Sequence, residues 1–155
     1  MNCVLDHRKV DSNDVRMVFD WSMDEATREN SLNTSGFAYE EHQKWFERKL
    51  KDPEYHILIY MDGEVPVGML RIERTSEGGL ISIAVSPDHR GKGYGEKMLA
   101  CASQFANDLK YQKLVAQIWS ENKASIQIFE RNAYEFESEF ELEDGRTFKQ
   151  YIRKL

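Results

Sequence analysis

The segment His89-Arg90-Gly91-Lys92-Gly93-Tyr94-Gly95 concentrates more usable chemistry than any other stretch of the chain. Its glycines fall at alternate positions, which lets the backbone take positive φ and lets a ligand approach closely. An apolar strand pattern, Leu80 to Val85, precedes it and is stopped by Ser86-Pro87. A helical pattern follows from Gly95 to about Lys110, with Met98, Leu99, Ala102, Phe105, Ala106 and Leu109 on one stripe. The first amides of a helix have no intrahelical partner, and the helix dipole is positive at that end. A strand, a glycine loop and a helix start in this order make an anion cradle. Arg90 and Lys92 add charge suited to a phosphate. Two familiar phosphate loops are excluded. A Walker loop needs Ser or Thr after Gly-Lys, and a dinucleotide fingerprint would need glycine where Glu96 stands. A plain flexible turn would explain the glycines but not the strand, the basic residues and the amphipathic helix together.

Several elements must position that loop. Cys3 to Leu5 reads as a short first strand, Asn13 to Ser22 as a helix, Asp24 to Ser31 as a short helix or turn, and Asn33 to Gly36 as loop. Tyr39 to Leu50 is a helix with His42, Trp45, Phe46 and Leu50 on one face, ended by Asp52-Pro53. The period then changes to two. His56 to Met61, Glu64 to Arg74 and Leu80 to Val85 form an antiparallel meander, turned at Asp62-Gly63 and Gly78-Gly79. Pro66 and Gly68 mark an irregular start to its second strand. After the long helix come a strand at Leu114 to Trp119, a short helix at Asn122 to Arg131, and two strands turned at Asp144-Gly145. In the first of these Tyr134, Phe136, Phe140 and Leu142 alternate with Glu135, Glu137, Glu139, Glu141 and Glu143. The glutamates read as a solvated face, with Lys149 and Arg153 placed to pair across.

A chain of 155 residues with 41% hydrophobic and 12% aromatic residues can bury one core, so a single domain over 1–155 is expected. The net charge of −6 argues against a general nucleic-acid binder, although it leaves room for a local basic pocket. No apolar run is long enough to span a membrane, and the charges at Asp6, His7, Arg8 and Lys9 do not read as a signal peptide. The two cysteines, Cys3 and Cys101, belong to no metal-ligand pattern or disulfide framework. Cys101 reads as a small core residue, a reducing cytoplasm as the compartment, and no metal is expected.

Arg90-Gly91-Lys92-Gly93-Tyr94-Gly95 resembles the signature of the GNAT N-acetyltransferases, Arg/Gln-x-x-Gly-x-Gly/Ala. About thirty residues on, Asn122-Lys123-Ala124-Ser125 resembles that family's second cofactor segment. The element order fits from end to end. The resemblance implies an α/β (α+β) GNAT fold: a mixed, mostly antiparallel sheet of six or seven strands, splayed in a V and flanked by about four helices. It implies acetyl-CoA as co-substrate. Ile83, Ala84 and Val85 would line the pantetheine arm, and Arg90, Gly91, Lys92, Gly93, Tyr94 and Gly95 would hold the pyrophosphate. Asn122, Ser125 and Phe129 would sit beside the cofactor. A backbone N–H near Ala84 or Val85 would polarise the thioester carbonyl. Many members carry tyrosine where this chain has Phe129, and a glycine where it has Ala133. The proton for the leaving thiolate would then come from Tyr94, Tyr134 or water, or be unnecessary.

The attacking amine must be neutral, so a base or a water leading to one is required. Ser82 and Glu73 are the catalytic candidates on the neighbouring strands. On the acceptor side, Arg28, Asn30-Ser31 and His42-x-x-Trp45 resemble a branch that acetylates nucleotide-linked aminosugars in bacterial nonulosonic acid and surface-polysaccharide pathways. Arg28 would meet a phosphate, His42 a phosphate or hydroxyl, and Trp45 a sugar or base face. The expected partner is therefore a small-molecule amine or such an aminosugar, with the oligomeric state, a homodimer included, left open. A protein or peptide N-acetyltransferase and a non-catalytic acyl-CoA-binding module are the alternatives.

Overall fold

The computed structural model of the chain describes residue 3 and residues 5–155. Its strands are β1 (Asp6–Lys9), β2 (Tyr55–Asp62), β3 (Val65–Thr75), β4 (Gly78–Val85), β5 (Lys113–Trp119), β6 (Glu135–Glu141) and β7 (Thr147–Lys154). Its helices are α1 (Val15–Met23), α2 (Glu25–Glu29), α3 (Tyr39–Leu50), α4 (Tyr94–Asp108) and α5 (Lys123–Arg131). The strands form one seven-stranded sheet in the order β1-β2-β3-β4-β5-β7-β6. The first strand lies later than the expected Cys3–Leu5: β1 pairs antiparallel with β2, Asp6 opposite Met61 and Lys9 opposite Leu58. Of the expected strand, Val4 lies outside the described residues.

Both faces of the sheet are covered, which is why β2 reads as a nearly unbroken apolar run. Leu58, Tyr60, Leu70, Ile72 and Ile81 face α4 and α5, where Met98, Leu99, Ala102 and Phe129 complete the larger core. Ile57, Ile59 and Met69 face α1 and α3, against Val18, Trp21 and Phe46. Burying side chains such as Met98 and Leu99 fully stabilises by about 1.5–3 kcal/mol each. The β2–β3 register shifts at Tyr60/Met61, where Pro66 on the opposite strand lacks an N–H for the ladder. Two residues on, Gly68 is required by packing: a Cβ there would lie 2.6 Å from the Met98 Sδ and 2.8 Å from the Ala84 carbonyl oxygen.

Every neighbouring pair of strands is antiparallel except β4–β5, which is parallel and joined only at Gly79–Leu114 and Leu80–Val115. Beyond those pairs β5 continues with β7, and β4 continues with β3 alone. The sheet is thus open along one side of β4 in its middle, the V-shaped splay that the family resemblance implied.

Two expectations need correction. Cys101 is buried at 2% exposure in α4, but it is disulfide-bonded to Cys3, 98 residues away. Spacing along the chain carries no signal for a pairing made by tertiary packing. Lys149 and Arg153 form no ion pair with the glutamate row: Lys149 lies over the Phe136 ring, and Arg153 donates to the Asn132 carbonyl at 2.9 Å. Lys149 does stand opposite Glu139, as the alternation predicted, whereas Glu135 at the end of β6 is opposite Ile152 and leaves Arg153 without a facing glutamate. No helix of the described residues is long and apolar enough to cross a membrane.

Candidate active site

The glycine loop enters α4 as the sequence implied. Gly91 has φ +77° and Gly93 has φ +82°, and a Cβ built on either meets nothing within 4 Å. Their bareness therefore serves the backbone conformation and the space above it, since none of the described residues fills that space. Gly93 is the N-cap residue of α4 and gives no side-chain cap, so the first-turn amides keep their free hydrogens. That is an electropositive cradle with room over it, and it suits a pyrophosphate.

The cradle opens into a cleft of about 760 Å³ in the splay between β4 and β5. Leu80 to Val85 line one wall, Ala116 to Ile118 the other, and Asn122, Ser125 and Phe129 of the α5 region close the end. Past Leu80 the β5-facing edge of β4 has no strand partner among the described residues, so its amides and carbonyls are free to pair with a bound ligand. Asn122 caps α5, its Oδ1 accepting from the Ser125 amide at 3.3 Å. Phe129 is 2% exposed and packs edge-on against Tyr134, centroids 4.9 Å apart.

Neither alternative tyrosine is presented as a free acid. The Tyr134 hydroxyl is buried without a partner, and burial pushes its pKa well above the usual tyrosine range. The Tyr94 hydroxyl donates to the Asp62 carboxylate, a bond that raises its pKa. Tyr94 and His89 both line the cleft, their rings 6.0 Å apart.

Arg90 lines the cleft but is engaged: its Nη2 is bonded to the Asp24 carboxylate and lies 3.3 Å from the Thr27 Oγ1. Burial raises the pKa of Asp24, but bonds from Arg90 and the Thr27 amide outweigh it and hold the carboxyl below its ordinary value. Asp24 also caps α2. At the other end of α2, Arg146 of the β6–β7 turn donates to the Glu29 carbonyl at 3.0 Å and to the Leu32 carbonyl at 2.9 Å. The segment from Asp24 to Leu32 is therefore strapped along the cleft from both ends.

On the sheet face under α1 and α3, Met69, Arg71 and Glu73 of β3 alternate, with Ser82 opposite Arg71 on β4. Ser82 and Glu73 both line the cleft, and Lys49 lies 3.6 Å from the Glu73 carboxylate. Arg28 lines it too, although its guanidinium is tied to the Ser22 and Asn33 carbonyls at 2.6 and 2.8 Å. His42 is not in the cleft. It is 1% exposed, stacked on Phe37, with Nε2 3.2 Å from the Val15 carbonyl oxygen. Burial, reinforced by the charge of Arg71, holds its pKa below the ordinary histidine value. Trp45 is half-buried in the smaller core and does not line the cleft; it backs two residues that do, Arg71, which lies over its ring at 5.4 Å, and Tyr55, edge-on to it with centroids 5.7 Å apart.

Four residues of the site were not foreseen in the sequence: Arg71, Asp24, Arg146, and Tyr55, which lines the cleft at the start of β2. Arg71 was signalled: it is a cation inside an apolar strand, in phase with Glu73. Asp24 could be read only as a helix cap for Thr27, since its other partner, Arg90, is 66 residues away, and Arg146 has its partners more than a hundred residues away.

The chain matches the family model described as Acetyltransferase (GNAT) family over residues 15–134. It is 30% identical over 102 residues to the uncharacterised N-acetyltransferase YfmK of Bacillus subtilis, which covers 66% of this chain and 69% of that protein. The fold is shared with spermidine N-acetyltransferase from Vibrio cholerae, solved in complex with CoA and spermine: TM-score 0.88, 15% identity, 99% of this chain and 96% of that one. It is shared also with YncA from Salmonella typhimurium, solved with its cofactor acetyl-CoA: TM-score 0.80, 18% identity, 98% and 94% coverage. A splayed parallel pair, a glycine cradle at a helix start and a family match across most of the chain lead to one conclusion: this protein belongs to the GNAT acetyltransferase family and is an acyltransferase enzyme.

Proposed function

We propose that the protein moves an acetyl group from acetyl-CoA to a primary amine of a small molecule, by direct attack while both are bound. The observation that carries the reading is the unpartnered edge of β4 running into the Arg90–Gly95 cradle. Bound acetyl-CoA supplies an activated thioester. The amides of the cradle, with Lys92 and Arg90, hold its pyrophosphate. Ile83, Ala84 and Val85 flank the pantetheine arm, and a backbone N–H at Ala84 or Val85 donates to the carbonyl oxygen. Asn122, Ser125 and Phe129 bound the far wall. Glu73 takes the amine proton through a water held by Ser82. An alkyl thiolate is a far better leaving group than an alkoxide or amide, so this reading does not require a tyrosine acid where Phe129 stands.

A small acceptor is favoured over a peptide because the strap from Asp24 to Leu32, which Arg146 holds independently of the cofactor, bounds the cleft. A nucleotide-linked aminosugar is a second reading, supported by Arg28 on the cleft wall but no longer by His42 or Trp45. A cytoplasmic site of action belongs to this proposal and rests on the co-substrate, not on the cysteines.

The test is a melting curve with acetyl-CoA, followed by a screen for CoA release with a broad amine panel. At a hundredfold excess over its Kd, acetyl-CoA should stabilise by about 2.7 kcal/mol. Gly93→Val should remove that shift, because a β-branched residue resists φ +82° and would project into the ligand's space. An equal shift with NAD, or a Gly93→Val protein that binds normally, would overturn the cofactor assignment. Binding without CoA release from any amine would favour the non-catalytic module.

A further inference from the structure

Adjoining the main cleft, and sharing Arg28, Ser31, Arg71, Ser82 and Ala84 with it, lies a smaller pocket of about 80 Å³ walled also by Ser22. No aspartate or glutamate lines it. The two guanidiniums are held in place by neutral acceptors. Arg28 donates to the Ser22 and Asn33 carbonyls and, at 3.2 Å, to the Ser31 hydroxyl. Arg71 donates to the Ser22 hydroxyl at 2.7 Å, rests on Trp45, and keeps its Nε buried without a partner. Neither arginine is in an ion pair among the described residues. Glu73, two positions along the same strand, is turned to Lys49.

Two cations thus converge on one cavity with no counter-charge. They are near enough that burial, followed by the charge of Arg71, lowers the pKa of Arg28. Like charges brought together out of water are unfavourable unless an anion lies between them. The unused N–H groups of Arg28 and Arg71 and the hydroxyls of Ser22 and Ser82 are donors that such an anion would accept from. Ser82 and Ala84 line this pocket and the main cleft alike, so a group held here is within a few bonds of an amine beside β4.

We infer that this pocket is a subsite for one compact oxyanion of the acceptor, a carboxylate or a phosphate, and that the enzyme acetylates anionic amines and discriminates against polyamines. The inference rests on the acetyl-transfer reading above and deepens it. The volume suits a single carboxylate or phosphate group. A second ammonium group on the acceptor would meet two arginines instead of an acid. The positive pocket also reconciles an anionic acceptor with a chain of net charge −6.

The experiment has two arms. In the first, with CoA saturating the cradle, inorganic phosphate and acetate are titrated against the melting temperature of wild type, Arg71→Gln and Arg71→Lys. Stabilisation in wild type, loss in Arg71→Gln and partial return in Arg71→Lys are expected. In the second, CoA release from acetyl-CoA is measured with matched acceptors: methionine against methioninamide, 2-aminoethylphosphonate against ethanolamine, a nucleotide-linked aminosugar against its free neutral sugar, and spermidine. The anionic member of at least one pair should be preferred. Arg71→Gln should raise the KM for that acceptor roughly ten- to a hundredfold and leave the KM for acetyl-CoA unchanged. The preferred pair separates a carboxylate from a phosphate as the natural group. Equal stabilisation of wild type and Arg71→Gln, or spermidine and the neutral amines used as well as the anionic ones, would overturn the subsite. Anion stabilisation without CoA release from any amine would overturn acetyl transfer and leave the anion site standing.

Discussion

Ala133 follows α5 with φ +69°, in the left-handed region that costs an L-residue about 1–2 kcal/mol. The resemblance to the GNAT family already marked this position, since it implies a glycine there. The structure supplies the reason: the Tyr134 amide turns back to the Phe129 carbonyl at 3.1 Å, a closure that needs the positive φ. Ala133→Gly should therefore stabilise by about 0.5–1 kcal/mol, the relief of strain less the greater chain entropy of glycine. A denaturant titration checks it, and an unchanged or lower midpoint would mean that the strain is negligible. His42 makes the opposite point at the same scale. A histidine three residues before a tryptophan looks like a ligand-binding pair, yet burial at 1% exposure makes it a core side chain. Residue type was legible at both positions, and burial was not.

At the scale of the element, α2 has only five residues, far too short to be stable alone. Its order comes from arginines on other elements: Arg90 at its start and Arg146 past its end. Asp24 and a bound pyrophosphate would then compete for Arg90. Asp24→Asn should tighten CoA binding, since asparagine still caps the helix but no longer holds the guanidinium as an anion. For a partly exposed pair the expected gain is roughly twofold to fivefold in Kd. Calorimetric titration of CoA into wild type, Asp24→Asn, Arg90→Gln and the double variant would show it, with the gain absent when Arg90 is already gone. Weaker binding in Asp24→Asn would instead mean that the strap is part of the cofactor site.

Over the whole molecule, the Cys3–Cys101 bond ties the start of the chain to the middle of α4 and closes a loop of nearly a hundred residues. Chain-entropy arguments assign such a closure roughly 4–5 kcal/mol. Reduction should then lower the melting temperature by on the order of 10 °C in a domain of this size. Acetyl-CoA affinity should change little, because Cys101 lies beyond the first turn of α4, away from the cradle. Melting curves with and without reductant, paired with mass-spectrometric counting of alkylated thiols, test this. Free thiols in non-reduced protein would return Cys101 to the small core residue first expected.

From the sequence alone came the element order, the helix α3 to its ends, the hairpin at Asp62-Gly63 and the cradle from Arg90 to Gly95. These rest on periodicity, turn residues and backbone freedom, which act over a few residues and so are written locally. The family resemblance implied the splay, but tertiary structure alone decided that it begins after Leu80, that Cys3 meets Cys101, and that Arg90 reaches Asp24. It also decided that Arg28 and Arg71 share a pocket while His42 is buried. Each of these depends on which distant segments pack together and on what burial does to charge, and neither quantity is carried by any short window of residues.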